Sequence, residues 1–284
     1  MKRLLASIAL VLLLATSALA DALVWKAQKG NSVVYLGGTF HILRDSDFPL
    51  PPEYEKAYRA AQVVVFETDI GQLQDPAAQR AIMEKAVYPN GGTIDQHLSP
   101  AAYRALKEYC AANGIPLQAL SRYKPSLVMT ALTMMELTKF GVTRHGVDDY
   151  YYRQAKKDNK KVLGLETVDQ QIDYLVTMAD GDEDDFVTYS LKDLKTATAS
   201  FDDLERAWRK GDAAKLDELI NRDMKTGQPK LYQKLITDRN NNWLPEIDAK
   251  NPQVRFYLVG AGHLVGPDGI IETLRKRGYR IEKY

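Results

Sequence analysis

The 284 residues are 45% hydrophobic and 26% charged, ordinary values for a globular chain that set aside the disordered and fibrous classes. A net charge of +1 argues against nucleic acid as a partner, because the longest basic run, Arg275-Lys276-Arg277, reads as a helix end before Gly278. Cys110 is the single cysteine, so no intramolecular disulfide forms, and no histidine stands near it in sequence to act as the base of a thiol nucleophile.

Lys2 and Arg3 precede an apolar run from Leu4 to Leu14 and a small-residue stretch that closes at Ala18-Leu19-Ala20. This is the pattern of a secretory signal peptide over residues 1–20, cleaved after Ala20. An uncleaved signal anchor is the alternative, and the Ala-Leu-Ala ending argues against it. Residues 21–284 are then expected to form a single α/β domain in the periplasm or outside the cell. No later stretch reaches the roughly 20 apolar residues of a membrane span, so no membrane span is expected once the leader is removed.

From Ala22 the elements follow in order. Ala22 to Ala27 and Ser32 to Leu36, joined at Lys29-Gly30-Asn31, predict a β-hairpin whose second strand runs into Gly37-Gly38-Thr39-Phe40-His41. Glu53 to Ala61 predicts a short helix. Val63 to Phe66 predicts a strand, and its unbroken apolar run implies cover on both faces. It ends at Glu67-Thr68-Asp69. Helical spacing then recurs over Pro76 to Ala86, Ser99 to Asn113, Pro125 to Phe140 and Val147 to Asp158. Lys161 to Glu166 returns to a strand, and helices resume from Val168 to Ile247. The chain closes with strand Arg255 to Val259, a turn Gly260-Ala261-Gly262-His263, helix Gly269 to Arg277 and strand Tyr279 to Glu282. The pattern predicts an α/β fold with a mixed central sheet, flanking helices and a large helical insertion across the mouth of the sheet.

Histidine is scarce, with four in the chain, and two of them, His41 and His263, fall at matched Gly-x-x-His turns after strands. In open α/β sheets ligands collect beyond the carboxyl ends of the strands, where both turns lie if their strands run parallel. Glu67 and Asp69 end one further strand, and Glu166 ends another. Side-chain alternation lets Glu67 and Asp69 share a face. Two histidines with a carboxylate suit a divalent manganese, cobalt or zinc ion, which makes water nucleophilic near neutral pH. The same His and Glu can also work without metal, as an acid–base pair acting on water. The plainer alternatives are that each histidine caps a loop and that Glu166 caps the following helix. Arg239-Asn240-Asn241 lies within a helix, where Asn is poorly placed on propensity, a local cost that function can justify. Arg239 is therefore a candidate to orient a substrate oxygen, against the alternative of an exposed helix arginine. The acidic run Asp180 to Asp185 is read as a helix start, since a calcium loop needs glycine where Asp185 stands. His97 and His145 are read as surface residues, although His145-Gly146-Val147-Asp148 precedes a helix that can face the site.

Tyr35 to His41, Phe66 to Asp69, Gly164-Leu165-Glu166-Thr167 with Gln170, Arg239-Asn240 and Val259 to Leu264 together resemble the TraB/GumN (PrgY) family. That family is similar to the Tiki proteases of animals, regarded as metal-dependent peptidases, and looks related to erythromycin esterases and a haem-binding lipoprotein group. The resemblance implies that His41, His263 and Glu67 surround a metal ion, with Arg239, Asn240 and Glu166 as catalytic companions. It implies an exported metal-dependent hydrolase acting on a peptide or small-molecule substrate. A non-catalytic peptide- or haem-binding protein and a metal-free Glu-His esterase are the alternatives.

Overall fold

The computed structural model describes residues 22–284, and the expected signal peptide lies outside them. The expected hairpin is present: β1 (Val24–Lys29) pairs antiparallel with β2 (Ser32–Thr39), turning at Gly30, whose φ of 58° suits a residue without a side chain. Six further strands follow: β3 (Leu43–Arg44), β4 (Val63–Phe66), β5 (Val142–Thr143), β6 (Lys161–Gly164), β7 (Arg255–Gly260) and β8 (Arg280–Lys283). Six of the eight form one mixed sheet in the order β6-β4-β7-β2-β1-β8, and β3 pairs with β5 in a separate two-stranded piece. Within the large sheet β6, β4, β7 and β2 run parallel, while β1 and β8 run antiparallel to their neighbours.

All four residues of β4 are buried, as their apolar run requires. Tyr54 and Tyr58 of the helix Pro52–Ala60, Tyr151 of the helix Val147–Lys157, and Trp243, Leu244 and Ile247 of the helix Asp238–Ile247 join β2, β4 and β7 in one core. The helical insertion comes in two pieces, one between β4 and β6 and one between β6 and β7. These pieces share a second apolar core, in which Leu106, Val128 and Met129 from the first meet Phe186, Val187 and Leu191 from the second.

The parallel register positions the site. Thr39 lies opposite Gly260 and Phe66 opposite Leu258, so β2, β7 and β4 end at one edge of the sheet. Beyond β4 and β6 the parallel pairing continues, with Leu165 N–H donating to the Phe66 carbonyl at 2.9 Å and Glu166 N–H to the Glu67 carbonyl at 2.8 Å. His41, Glu67, Glu166 and His263 therefore leave four neighbouring strand ends. The expected turn at Gly260 to His263 is instead a single helical turn, Ala261–Leu264, entered directly from β7. The helix Asp238–Ile247 continues from a π-helical stretch, Gln233–Thr237, and a second one spans Asp217–Arg222. Wide turns of this kind cluster at functional sites because they re-aim side chains.

Candidate active site

The end of β2 is held by a buried hydrogen-bond knot. The Gly38 carbonyl accepts from the Tyr54 hydroxyl and, at 2.8 Å, from Trp208 Nε1, which also donates to the Tyr54 oxygen at 2.8 Å. Three residues on, His41 projects with its side chain 60% exposed, and its Nδ1 lies 2.8 Å from Asp148 Oδ2. Gly146 makes this approach possible, because a Cβ there would fall 2.1 Å from the Phe40 carbonyl oxygen. The chain crosses close under His41, Val147 N–H bonds the Phe40 carbonyl at 2.9 Å, and Asp148 arrives in the first turn of its helix. The Asp148 carboxylate raises the imidazole pKa to about 9, with help from Glu67 and against the pull of burial and of Arg239.

His263 is buried, at 5% exposure, and packs against Trp243 with ring centroids 4.4 Å apart and the planes tilted by 45°. Asn240 fixes its tautomer. The Asn240 amide nitrogen donates to the carbonyls of His263 and Asp268 at 3.2 and 3.1 Å, so its oxygen must accept from His263 Nδ1–H at 2.8 Å. The lone pair is thereby left on Nε2. Burial drives the imidazole pKa down to about 3 against the attraction of Glu67, so the ring is neutral at ordinary pH. Asn221, from the π-helical stretch Asp217–Arg222, supports this turn by donating to the carbonyls of Gly262 and Val265 at 3.0 and 3.1 Å.

Glu67 is buried between these histidines. Its Oε2 accepts from Arg239 Nη2 at 2.7 Å and its Oε1 from the Gly260 N–H at 2.7 Å. Burial alone would raise its carboxyl pKa, but the charge of Arg239, then the two imidazoles and the Gly260 N–H, hold it far below the usual range. Arg239 in turn donates to both oxygens of Glu166, each at 2.8 Å, and to Gln171 Oε1 at 3.1 Å. Trp243 Nε1 donates to Glu166 at 2.9 Å. Glu166 does not cap the following helix, since Thr167 does so by accepting from Gln170 N–H at 3.2 Å. Arg239 is only 5% exposed, so the alternative of an exposed helix arginine falls away. Its guanidinium is committed to carboxylates, which makes it a residue that positions Glu67 more than one that meets a substrate oxygen. Asp69 is directed elsewhere, as the cap of the helix Ile70–Leu73.

Glu67 Oε1 is the point of convergence. His41 Nε2 stands 3.9 Å from it and His263 Nε2 3.8 Å. A Cβ on Gly260 would sit 3.2 Å from Glu67 Oε1, 3.4 Å from His41 Nε2 and 3.5 Å from His263 Cδ2, so glycine keeps the space among the three groups open. In kind these donors fit a divalent ion: two imidazoles with Nδ1 engaged and Nε2 turned inward, plus an ionised carboxylate. Their separations are wider than the roughly 3.4 Å between two ligands of one tetrahedral zinc. Among the described residues no group of three or more His, Cys, Asp or Glu side chains is already spaced to hold an ion. Arg239 Nη1 also lies 3.3 Å from His263 Nε2, where it donates to the lone pair a metal would use. The site opens into a cavity of about 370 Å³ that Thr39, Phe40, Ile42 and Leu204 help to line.

The sequence profile of the TraB/PrgY/gumN family matches residues 23–283. The chain belongs to this family. Relatives include the uncharacterized protein YbaP of Escherichia coli, 23% identical over 259 residues that cover 87% of this chain and 89% of that protein. The metalloprotease TIKI homolog of Nematostella vectensis is 24% identical over 328 residues, covering 92% of this chain and 67% of that protein. Metalloprotease TIKI2 of Danio rerio is 25% identical over 308 residues, covering 87% of this chain and 58% of that protein. No solved structure matches. Among the described residues no helix is long and apolar enough to cross a membrane.

Asp148 is the residue of the site that sequence reasoning did not single out as a partner of His41. The signal was the Gly-Val-Asp start of its helix. Asn221 carried no signal, because it stands in no motif.

Proposed function

We propose that this member of the TraB/PrgY/gumN family is an exported metal-dependent hydrolase, a peptidase in reaction class, with His41, His263 and Glu67 as the residues that hold the ion. The observation that carries this reading is the convergence of two imidazole Nε2 atoms, at 3.9 and 3.8 Å, on one carboxylate oxygen whose pKa is held low. The family relatives named as metalloproteases support it. A divalent cation, manganese, cobalt or zinc, would supply polarisation of a scissile carbonyl and a nucleophilic water at neutral pH. The protein's own residues do the positioning. Asn240 presents His263 in the neutral Nδ1–H tautomer, and Asp148 orients His41. Arg239, clamped by Glu166, fixes Glu67 through Oε2 and leaves Oε1 facing the histidines. His41 would have to give up its Nε2 proton to hold an ion, so binding would strengthen with rising pH. Export rests on the leader read in residues 1–20.

A second reading is favoured by the Arg239 Nη1 contact to His263 Nε2 at 3.3 Å and by the raised pKa of His41. In it a cationic His41 serves as general acid in metal-free hydrolysis of an ester. One experiment decides between them. The mature chain and His41→Ala are purified, bound metal is measured by elemental analysis, and peptide and ester cleavage are assayed with added manganese, cobalt or zinc and with chelator. The metal reading expects metal in the wild type, its loss in the variant, and peptide cleavage abolished by chelator. Equal metal content in both proteins with no metal-dependent cleavage refutes it; ester cleavage that persists in chelator establishes the second.

A further inference from the structure

The cavity that holds the reacting groups has a second kind of wall. Phe40 and Ile42 flank His41, Leu204 comes from the helix Ala197–Arg209, and Ile220 and Ile236 come one each from the two π-helical stretches. All five line the same space as His41, Glu67 and His263, and all but Ile236 are only partly buried. The charged groups of that space are the site's own, and each is already engaged: Glu67 with Arg239 at 2.7 Å, His41 with Asp148 at 2.8 Å and His263 with Asn240 at 2.8 Å. Among the described residues no lysine or aspartate lines it. The backbone aims the two isoleucines. Asn221, next in sequence to Ile220, holds the Gly262 and Val265 carbonyls at 3.0 and 3.1 Å, so consecutive residues of one wide turn serve the His263 turn and the cavity. Gly262 keeps the approach close, since a Cβ there would meet Ile220 Cγ2 at 3.1 Å, Asn221 Oδ1 at 3.2 Å and Ile236 Cδ1 at 3.6 Å. Both isoleucines therefore lie against the helical turn that carries His263.

We propose that this apolar wall is the specificity pocket of the site. It takes a bulky apolar side chain, such as leucine, next to the bond of a peptide that lies against Glu67 and the histidines, and Ile220 and Ile236 are its specificity-determining residues. Pockets for organic ligands combine a mostly apolar lining with a few polar groups that fix orientation, and this cavity divides in the same way. A charged side chain would leave water for a wall with no free counter-charge, and a small one would leave apolar wall in contact with water. The inference rests on the hydrolase reading for the fate of the bond, while the preference itself is read by binding alone.

The test uses fluorescently labelled alanine-rich octapeptides that differ at one central residue: leucine, alanine, lysine or glutamate. Binding to the mature chain is measured by anisotropy, and cleavage of the same peptides is followed in parallel with added manganese, cobalt or zinc and with chelator. The leucine peptide should bind at least tenfold more tightly than the alanine peptide, the scale on which apolar pockets discriminate, and the lysine and glutamate peptides no better than alanine. In the double variant Ile220→Ala, Ile236→Ala that gap should shrink below threefold. Ile220→Val should keep most of it, and Met83→Ala, an exposed apolar residue away from the cavity, all of it. The gap is a ratio within one protein, so a change in the folded fraction does not move it. If melts show the double variant unfolded, Ile220→Thr at its partly buried position should at least halve the gap. Leucine binding no tighter than alanine, tighter binding of lysine or glutamate, a gap that these variants leave intact, or no binding at all overturns the proposal. Leucine-selective binding without cleavage under any of the conditions sinks the hydrolase reading and leaves the pocket standing; cleavage without selectivity does the reverse.

Discussion

Replacing Arg239 with methionine keeps much of the volume and removes the cation that joins Glu67 to Glu166. In the folded protein that cation donates to Glu166 twice at 2.8 Å, to Glu67 at 2.7 Å and to Gln171 at 3.1 Å, all in a buried setting. Without it Glu67 keeps the Gly260 N–H and Glu166 keeps Trp243 Nε1, but two buried carboxylates face each other uncompensated. Breaking a buried pair from one side costs about 3–5 kcal/mol, which for a chain of this size lowers Tm by roughly 10 °C. The sign with pH follows. The low native pKa of Glu67 contributes stability that is present at neutral pH and lost as pH falls through the carboxylate range. In Arg239→Met that contribution is gone, so the stability gap between the two proteins narrows as pH drops below about 4.5. Urea unfolding followed by tryptophan fluorescence reads both effects, since Trp243 sits against Arg239 and Glu166. A cycle with Glu166→Gln should show coupling of about 1–3 kcal/mol. A variant within about 1 kcal/mol of the wild type at pH 7, or additive single changes, would refute the clamp.

Other outcomes follow from the same geometry. His263, with a native pKa of about 3, leaves the unfolded chain to take up a proton that the folded chain refuses, so between pH 7 and 5.5 it should cost ~1.2 kcal/mol of stability. The difference in urea midpoints between wild type and His263→Gln over that interval checks it; parallel pH dependences count against a neutral His263. Gly260→Ala should fold with nearly unchanged Tm and lose at least tenfold in activity or metal affinity, because its methyl enters the space among Glu67, His41 and His263. Retained activity in Gly260→Ala places the reaction elsewhere. In metal-free Asp148→Asn the His41 imidazole, followed by NMR titration, should fall from about 9 toward the ordinary histidine range near 6.5. An unmoved titration removes Asp148 from its role.

Much of the sheet could be read from the chain because its cues are local. Gly30 marked the hairpin, four apolar residues marked β4, and the glycines after β2 and β7 marked the edge where the histidines leave. That β2 and β7 run parallel, the condition on which the two Gly-x-x-His ends share an edge, and the order of the strands are set by the sheet itself. What escaped reading was set by distant contacts. Leu43–Arg44 and Val142–Thr143 pair across about a hundred residues with no pattern of their own. Glu67 and Asp69 share strand periodicity, yet only Glu67 enters the site, because the chain turns into a helix that Asp69 caps. Arg239 was visible as an oddity of composition. Its destination was not, since the two carboxylates it bridges come from 172 and 73 residues away. Asp148 depended on Gly146 fitting beneath His41, a packing fact without a one-dimensional signature.

The parallel register of β2, β7 and β4 has one more consequence. Adjacent strands are held about 4.8 Å apart by their own backbone hydrogen bonds, so the sheet acts as a ruler on which His41, His263 and Glu67 are graduations. Loops usually let a site drift as sequences diverge. Here the spacing of the strand ends from which these groups leave is set by the peptide backbone. The supporting partners, Asp148, Asn240 and Arg239, all come from the two helical insertions, so variation there can re-aim or retune the fixed groups without altering their spacing. Relatives of this chain can thus be expected to differ in the partners of these groups while keeping the same gauge.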